Sequence, residues 1–315
     1  HITSGYVGVK PPKDVLRAVK AGRVGGVILF TNNMPKTSDA KRAIDRLQRW
    51  AKAGGQPPVF VMIDQEGGIV QRLPQIPPHR SPAQIGRSNN PYKLAKEEGV
   101  NTGRALAKLG FNVNLAPVVD VIKVRDSFLG NRSYGRSAST VADAGCGFAT
   151  GNESKGVAAT FKHFPGLGRA GGDTDFEDIT IRASREKIES DLKPYVACPG
   201  APSMVMMSSA RYPSLGINVP SSLSKRTYSM LADTGFKGLS ITDALETPQF
   251  GSDSAVARAA SNAGVDILLY GQAWQGAMRA RAGLVRQMKS GKLTRADLAD
   301  SYDRIVAFKK QKLGD

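Results

Sequence analysis

The sequence predicts an α/β fold, specifically a (β/α)8 TIM-type barrel that occupies residues 1–315 as a single domain. Three observations lead to this prediction: short apolar runs rich in β-branched residues, amphipathic stretches between them, and polar residues directly after the runs. The chain has 315 residues and is 41% hydrophobic, which is enough for one barrel-sized core. A doubly wound open sheet is the alternative, because the same alternation builds it.

Eight apolar runs are the candidate strands. Their nearly continuous apolar character is typical of strands in a parallel sheet that is covered on both faces. The runs are residues 6–9, 24–30, 59–63, 113–121, 157–161, 204–207, 238–241 and 265–270. Eight such runs in a chain of this length favour the barrel.

Helical patterns fill the intervals between the runs. They cover residues 38–53, 90–109, 141–154, 224–234 and 254–263, with Ser38 and Ser224 as candidate N-caps. A last amphipathic region, residues 274–312, predicts two helices separated near Gly291. We find no linker, low-complexity tract or internal repeat that would divide the chain, which supports the single domain.

Polar residues are concentrated just after the predicted strands. They form the segments 64–72, 114–120, 131–135, 162–163, 208–209 and 242–245. Any one of these segments could be a solvated loop. Because the carboxyl ends of barrel strands carry the active site, their recurrence predicts one polar site at that end of the barrel.

The run KHFPG at residues 162–166 is the most informative of these segments. A β-rich run leads directly into it, and Pro165 and Gly166 then end the strand. Adjacent strand residues face opposite ways, so Lys162 and His163 reach one ligand only if the strand end is bent or bulged. Taken alone, the pair is better explained as a solvated lysine beside a core histidine, and the neighbouring polar segments favour the site.

The chain is strongly basic, with 44 Lys and Arg against 27 Asp and Glu, a formal net charge of +17. Such a surface attracts polyanions, so an anionic cell-wall polymer is a candidate partner. The charge is dispersed and aromatic content is only 7%, which argues against a nucleic-acid-binding surface. No apolar run approaches the ~20 residues of a transmembrane segment. Cys146 and Cys198 lack the spacing of a zinc site, and whether they form a disulfide stays open.

The predicted site combines cations with further polar groups, namely Arg72, Arg132, Lys162, Asp64, Asn114 and His163. Such a pocket suits a polyhydroxyl ligand that is bound by many directional hydrogen bonds. Asp243 follows an apolar strand, so its carboxylate should be held rigidly. A carboxylate kept ionised by nearby cations suits a nucleophile at the anomeric carbon of a sugar. Asp243 on its own would be better explained as a structural ion pair at a strand end.

At these motifs the sequence resembles glycoside hydrolase family 3, specifically its single-domain, NagZ-like β-N-acetylhexosaminidases. The similarity extends over nearly the whole chain and rests on VGGVILF (24–30), DQEGG (64–68), NRSYG (131–135), KHFPG (162–166) and TDAL (242–245). The resemblance implies a retaining glycosidase with Asp243 as the nucleophile. It also implies that the hydroxyls of the sugar in the −1 subsite are held by Asp64, Arg72, Arg132, Lys162 and His163.

The segment after KHFPG departs from the family pattern PGHGDTxxDSH, in which the last Asp-His pair supplies the acid/base on a mobile loop. Residues 169–172 look inserted here. With the next Asp-Thr aligned, Glu177 takes the acidic position and Ile179 replaces the histidine. Glu177 is therefore the first candidate for the acid/base, with Asp175 and Asp173 as alternatives, and the pKa of that acid should be raised by desolvation.

The resemblance predicts a retaining exo-β-N-acetylglucosaminidase that acts on peptidoglycan fragments or chitin-type oligosaccharides without a metal or organic cofactor. The missing histidine leaves two alternatives: another β-glycosidase of β-glucosidase type, or a catalytically weakened carbohydrate-binding pseudoenzyme. A phosphorylase that uses the same nucleophile is a further alternative, but the resemblance associates that activity with the loop histidine, which is absent here. The charge and the first residue, which is not Met, favour a secreted or cell-wall-associated protein, with a cytoplasmic location as the alternative.

Overall fold

The computed structural model describes residues 1–247 and 249–314 as a ring of parallel strands with helices around it. The strands are β1 (Ile2–Ser4), β2 (Gly26–Ile28), β3 (Phe60–Ile63), β4 (Val113–Asn114), β5 (Ala158–Phe164), β6 (Met204–Met207), β7 (Leu239–Thr242) and β8 (Leu268–Tyr270). They pair in the order β8-β1-β2-β3-β4-β5-β6-β7, and a parallel bridge between Ile241 and Ile267 joins β7 to β8. This circular order confirms the predicted barrel and excludes an open doubly wound sheet.

Eleven helices are present in the described ranges. They are α1 (Lys13–Lys20), α2 (Thr37–Ala53), α3 (Pro82–Gly86), α4 (Pro91–Leu109), α5 (Ala138–Glu153), α6 (Arg185–Ser190), α7 (Lys193–Ala197), α8 (Lys225–Asp233), α9 (Asp253–Ala263), α10 (Trp274–Lys289) and α11 (Arg295–Leu313). All predicted helices are present, including the two on either side of Gly291. The sequence analysis missed α1, although Val15, Leu16 and Val19 form a buried stripe on it.

The predicted first strand at residues 6–9 is wrong, because the strand lies at Ile2–Ser4, where it pairs with both β8 and β2. Residues 6–9 form a loop in which Gly8 has a φ of +100°. The Asn33 side-chain amide donates to the carbonyls of Tyr6 and Gly8 at 2.9 and 2.7 Å. These carbonyls are therefore satisfied without a neighbouring strand.

The predicted fourth strand is shorter than expected and the fifth is longer. Residues 115–121 continue beside the sheet without forming a regular ladder, because Pro117 has no amide hydrogen to donate. Val119 still donates its amide to the carbonyl of Lys162 at 2.8 Å, so the segment stays against β5.

One apolar cluster fills the inside of the barrel, formed by inward-facing strand residues such as Ile28, Phe60 and Met204. Phe308 of α11 belongs to the same cluster and packs edge-to-face on Phe60 with ring centroids 5.8 Å apart. Lys309 also lies there and donates to the carbonyl of Gly25 at 3.1 Å. Helix α11 therefore covers the amino ends of the strands.

Cys146 of α5 and Cys198, just after α7, form a disulfide in the structure. This answers the question that the sequence left open. Among the described helices, none combines the length and the apolar character that crossing a membrane requires.

Candidate active site

A cavity of about 320 Å³ opens at the carboxyl ends of the barrel strands. Its apolar lining includes Phe30, Leu115 and Met206. Its polar lining consists of Asp64, Glu66, Arg72, Arg132, Lys162, His163, Asp173, Thr174, Asp175 and Asp243. Half of these side chains come at or within three residues of a strand end, and the loops that follow the strands carry the other half, so the barrel arranges all of them around one space.

Four residues at the base of the cavity form an ion-pair array: Asp64, Glu66, Arg132 and Lys162. The Lys162 Nζ lies 2.9 Å from Asp64 Oδ1 and 2.7 Å from Glu66 Oε1. Arg132 binds both oxygens of the Glu66 carboxylate: Nε donates to Oε2 at 2.8 Å, and Nη2 donates at 3.0 Å to Oε1, the oxygen that Lys162 also contacts. Arg72 extends the array, with its Nη2 3.6 Å from Asp64 Oδ2.

The array stays charged although it is buried. Burial alone would raise the pKa of Glu66, but Arg132 and Lys162 outweigh burial and lower that pKa to about 2. Burial likewise opposes the charge on Lys162, and the carboxylates of Asp64 and Glu66 outweigh it and raise the pKa of the ammonium. The base of the cavity therefore offers fixed cationic donors and anionic acceptors, the set that hydroxyl groups of a sugar can bind.

Lys162 and His163 both line the cavity although they are neighbours on β5. The pairing of β5 with β6 shifts register between Lys162 and Phe164, which is the bulge that the sequence analysis required. The Lys162–His163 peptide bond is cis. His163 Nδ1 lies 2.7 Å from Asp120 Oδ2, so Asp120 fixes the imidazole and the Nε2 side is turned away from that bond.

Asp243 follows β7 directly. Its amide donates to the carbonyl of Met207 on β6 at 3.0 Å, which holds the backbone in the sheet. Its Oδ1 accepts from the Ala244 amide at 2.8 Å. The side chain is half-buried and lines the cavity, so a rigid carboxylate faces the space above the array.

A loop of residues 165–184 connects β5 to α6 and closes one side of the cavity; we call it the β5–α6 loop. Asp173, Thr174 and Asp175 of this loop line the cavity. Burial, together with the nearby carboxylates of Asp243 and Asp173, raises the pKa of Asp175 to about 6. Asp175 can therefore hold a proton close to neutral pH while facing Asp243.

The structure brings most of the predicted site residues together. Asp64, Arg72, Arg132, Lys162, His163, Asp175 and Asp243 all line the same cavity. Asn114 and Glu177 are not among the described residues that line it. The Asn114 side chain is buried in the barrel wall, where it accepts from the Gln65 amide at 3.1 Å and donates to Asn152 at 3.2 Å. Glu177 is exposed, and its carboxylate folds back over Gly172.

The sequence analysis placed Glu66 and Asp120 in the polar segments 64–72 and 114–120 but assigned neither of them a role. Glu66 lies two residues beyond Asp64 in the same predicted segment, in a short strand, Gln65–Gly67, that turns back to pair with Val70–Gln71. Asp120 lies within the run that we assigned to the fourth strand. A polar residue inside an otherwise apolar run was the available signal for Asp120. Over residues 1–247 and 249–314, no group of three or more His, Cys, Asp or Glu side chains is arranged as a metal site.

Comparison with known proteins identifies the family of this chain. Residues 5–308 match the glycosyl hydrolase family 3 N-terminal domain. An uncharacterised secreted glycosyl hydrolase from Arthroderma benhamiae is 35% identical, covering 99% of this chain and 92% of that relative. Beta-hexosaminidase LpqI from Mycobacterium tuberculosis is 32% identical, over 84% of this chain and 70% of LpqI.

The fold has close counterparts among solved structures. A glycoside hydrolase family 3 β-N-acetylglucosaminidase from Paenibacillus sp. strain FPU-7 superposes with a TM-score of 0.89 at 29% identity. The match covers 99% of this chain and 61% of that structure. The chain therefore belongs to glycoside hydrolase family 3, and its barrel corresponds to the N-terminal domain of these glycoside hydrolases.

Proposed function

We propose that this glycoside hydrolase is a retaining exo-β-N-acetylglucosaminidase that removes terminal β-GlcNAc from peptidoglycan fragments or chitin-type oligosaccharides. One observation carries the proposal: Asp243 and Asp175 face one cavity whose base is the ion-pair array. Asp243 is fixed on the barrel, whereas Asp175 lies on a loop and has a pKa raised to about 6. Two carboxyl groups on either side of a bound sugar are the machinery of a retaining glycosidase.

In the first step Asp243 attacks the anomeric carbon. One Asp243 oxygen accepts from the Ala244 amide, and the other is the proposed attacking atom. A bond forms between this oxygen and the anomeric carbon while the glycosidic C–O bond breaks. The leaving oxygen takes a proton from Asp175, so the products of this step are a glycosyl ester on Asp243 and a neutral alcohol.

We assign the acid/base to Asp175 in preference to Glu177. Both side chains are exposed to solvent, but Asp175 lines the cavity and Glu177 does not, which is the reverse of the order suggested by alignment. The raised pKa of Asp175 also meets the requirement for an acid that is protonated before the leaving group departs. In this assignment a carboxyl group in the cavity takes the place of the family's loop histidine.

In the second step the same groups exchange roles. The Asp175 carboxylate takes a proton from water, the water oxygen bonds to the anomeric carbon, and the ester bond to Asp243 breaks. The sugar leaves with the configuration that it had in the substrate, because two inversions cancel. Asp175 regains its proton in this step, so the enzyme returns to its starting state.

The ion-pair array is the proposed −1 subsite. Asp64, Arg132, Lys162 and His163 would hold the hydroxyls of the non-reducing sugar, with Glu66 keeping both cations in place. Removing the charged partner of one hydrogen bond to a sugar hydroxyl should cost about 1.5–3 kcal/mol of binding free energy. A sugar complex in which these side chains point away from the ligand would reject the assignment.

The preference for N-acetylglucosamine and the location rest on relatives. LpqI is named a β-hexosaminidase and the Paenibacillus structure a β-N-acetylglucosaminidase, which supports the same sugar for this chain. The Arthroderma relative is named as secreted, which supports a secreted or wall-associated location here. The net charge of +17 would favour contact with an anionic cell-wall polymer.

The test is hydrolysis of 4-nitrophenyl β-N-acetylglucosaminide and of the matching β-glucoside, each with and without inorganic phosphate. We expect the N-acetylglucosaminide to be favoured, with no stimulation by phosphate, and retention of configuration when product formation is followed by NMR. Trapping with a 5-fluoro-N-acetylglucosaminyl fluoride should label Asp243. Preference for the glucoside, a sugar phosphate product, or binding without turnover would each contradict the proposal.

A further inference from the structure

Phe176 is the most exposed large hydrophobic side chain among the described residues, at 75% exposure. Single exposed apolar residues are ordinary on protein surfaces. Phe176 differs because it directly follows Asp175, which lines the active-site cavity, and consecutive Cα atoms are only about 3.8 Å apart. Phe176 does not itself line the cavity, but its exposed ring belongs to the residue next to the proposed acid, where the cavity opens to solvent.

The segment around Phe176 is held in place by hydrogen bonds. The amide of Phe176 donates to the carbonyl of Asp173 at 3.1 Å, and that of Asp175 donates to Asp173 Oδ1 at 2.9 Å. Gln249 donates to the carbonyl of Thr174 at 2.9 Å from across the cavity rim. Two residues beyond Phe176, Asp178 binds Arg211 through both carboxylate oxygens, at 3.0 and 2.8 Å. A fixed backbone therefore presents the exposed ring.

From this geometry we infer that Phe176 forms the platform for the first aglycone sugar, and that this sugar is uncharged, as in chitin-type oligosaccharides. The inference rests on the proposed function and narrows its substrate class. Asp175 must reach the oxygen that joins the departing sugar to N-acetylglucosamine, so that sugar lies beside Asp175 at the rim. The C–H face of a pyranose can pack on the exposed ring of Phe176, burying apolar surface of both.

The charges around Phe176 select against an acidic aglycone. Four carboxyl groups lie between residues 173 and 178: Asp173, Asp175, Glu177 and Asp178. Only Asp178 forms a salt bridge among the described residues, with Arg211. The Arg and Lys side chains that line the cavity, Arg72, Arg132 and Lys162, all pair with Asp64 or Glu66 in the array. Asp175 is protonated when it acts as the acid and Asp178 is paired, so Asp173 and Glu177 supply the negative charge of the segment that meets the aglycone.

Aglycones from the two polymers differ at this point. In a chitin fragment the aglycone is another N-acetylglucosamine, which carries no charge. In a peptidoglycan fragment it is N-acetylmuramic acid, whose lactyl group sits on O3, next to the O4 of the glycosidic bond. An unamidated lactyl carboxylate would lie close to the acidic rim and be repelled, so the rim favours the neutral sugar.

The test compares three substrates of the full chain: diacetylchitobiose, the disaccharide GlcNAc-MurNAc with a free lactyl carboxylate, and β-N-acetylglucosaminyl fluoride, which has no aglycone surface. We compare Phe176→Ala, Phe176→Trp and Glu177→Gln with Tyr302→Ala. Tyr302 lies on α11 and is 65% exposed, so its variant controls for loss of an exposed ring elsewhere. Circular dichroism checks that each variant is folded.

We expect Phe176→Ala to lower kcat/KM for diacetylchitobiose about tenfold relative to kcat/KM for the fluoride, and Phe176→Trp to restore that ratio. The native protein should cleave diacetylchitobiose at least about tenfold faster than GlcNAc-MurNAc. This rate ratio should become smaller at high salt and in the Glu177→Gln variant. Tyr302→Ala should leave both ratios as in the native protein.

Two results overturn the inference, provided that the fluoride is still hydrolysed. One is a ratio of kcat/KM for diacetylchitobiose to kcat/KM for the fluoride that is unchanged in Phe176→Ala. The other is faster cleavage of GlcNAc-MurNAc than of diacetylchitobiose. Failure to hydrolyse the fluoride and both disaccharides overturns the proposed function itself. The fluoride thus separates the two failures.

Discussion

The two sides of the active-site cavity are built differently. The ion-pair array at the base lies at or close to the strand ends, and the Lys162 and Glu66 side chains are at most 3% exposed. The β5–α6 loop on the other side is anchored by three residues that are buried in a small apolar cluster, Leu167, Ala170 and Ile181. Its segment that carries Asp175 and the exposed Phe176 is instead held by hydrogen bonds. In the proposed mechanism the array would bind the sugar in the −1 subsite, whereas the loop would supply the proton and contact the departing sugar.

Asp243→Asn should have the largest effect, because an amide cannot form the glycosyl ester. We expect kcat to fall by roughly 10³-fold or more on every substrate, with little change in the melting temperature. Steady-state rates and thermal denaturation of the purified variant measure both. Turnover close to that of the native protein would remove Asp243 from the mechanism.

Asp175→Asn should distinguish the contribution of the β5–α6 loop to catalysis from that of the barrel. A natural disaccharide has a poor leaving group and needs a proton, so we expect its kcat/KM to fall about 10²- to 10⁴-fold. With an aryl glycoside that has a good leaving group, the rate of ester formation should fall much less. Added azide should restore part of the deglycosylation rate. Glu177→Gln is the matched control and should change neither substrate by more than about threefold. If Glu177→Gln instead shows the large, substrate-dependent loss, the assignment returns to Glu177.

Glu66→Gln should reveal the different stability of the two regions. The substitution removes the carboxylate that Lys162 and Arg132 share, and it should lower the free energy of unfolding by about 3–5 kcal/mol. Glu177→Gln, on the exposed loop, should change it by less than about 0.5 kcal/mol. Urea unfolding at pH 7 makes the comparison, and equal values would mean that the array is not a buried unit.

The same array predicts how stability depends on pH. The pKa of Glu66 is lowered to about 2, so its contribution is complete above its unfolded value near 4.5 and is lost as the pH falls towards 2. The difference in unfolding free energy between the native protein and Glu66→Gln should therefore narrow over that window. A difference that stays constant from pH 6 to pH 2.5 would contradict the ionised array.

The loop predicts a pH dependence of activity. Asp175 must be protonated to act as the acid, and its pKa is raised to about 6, so kcat/KM on a disaccharide should fall as the pH rises through about 6. This fall in kcat/KM above about pH 6 should be absent when Asp175→Asn is measured over the same pH range. A fall that persists in that variant would belong to another titrating group.

Gln249→Leu should have the smallest effect. It removes the hydrogen bond to the carbonyl of Thr174, which ties the loop after β7 to the segment that carries Asp175. Loss of one such bond is worth about 1 kcal/mol, so we expect about a fivefold fall in kcat on a disaccharide. Gln249→Glu keeps an acceptor but loses the donor, so it should behave like Gln249→Leu. If Gln249→Leu is as active as the native protein, this hydrogen bond does not position Asp175.

The sequence was sufficient for the barrel and for the residues at strand ends. Periodic apolar runs and strand-end motifs located Asp64, Lys162, His163 and Asp243, because a strand end determines where its next side chains lie. Even the bulge at Lys162 could be predicted, since two adjacent residues had to face one ligand. The first strand was misplaced because the short apolar run at 6–9 resembles a strand until the Asn33 amide is seen to bind its carbonyls.

The β5–α6 loop could not be predicted in the same way. Alignment by motif pointed to Glu177, whereas a turn closed by Asp173 directs Asp175 into the cavity and leaves Glu177 outside. Side-chain direction in a loop depends on such local hydrogen bonds, which carry no periodic signal. Asn114 illustrates the opposite case, since it lies at the end of a strand as expected but its amide is used by the barrel wall. The division of the chain into domains stays a prediction.

The disulfide between Cys146 and Cys198 encloses β5 and the whole β5–α6 loop within one covalent ring, because the cysteines are 52 residues apart and lie on either side of both. A protease that cuts beside the exposed Phe176 would open this ring without releasing a fragment. The nicked protein would therefore migrate as an intact chain on a gel until a reductant separates the two pieces. At the proposed secreted location, the crosslink would keep both halves of the active site on one molecule after a protease cuts this loop.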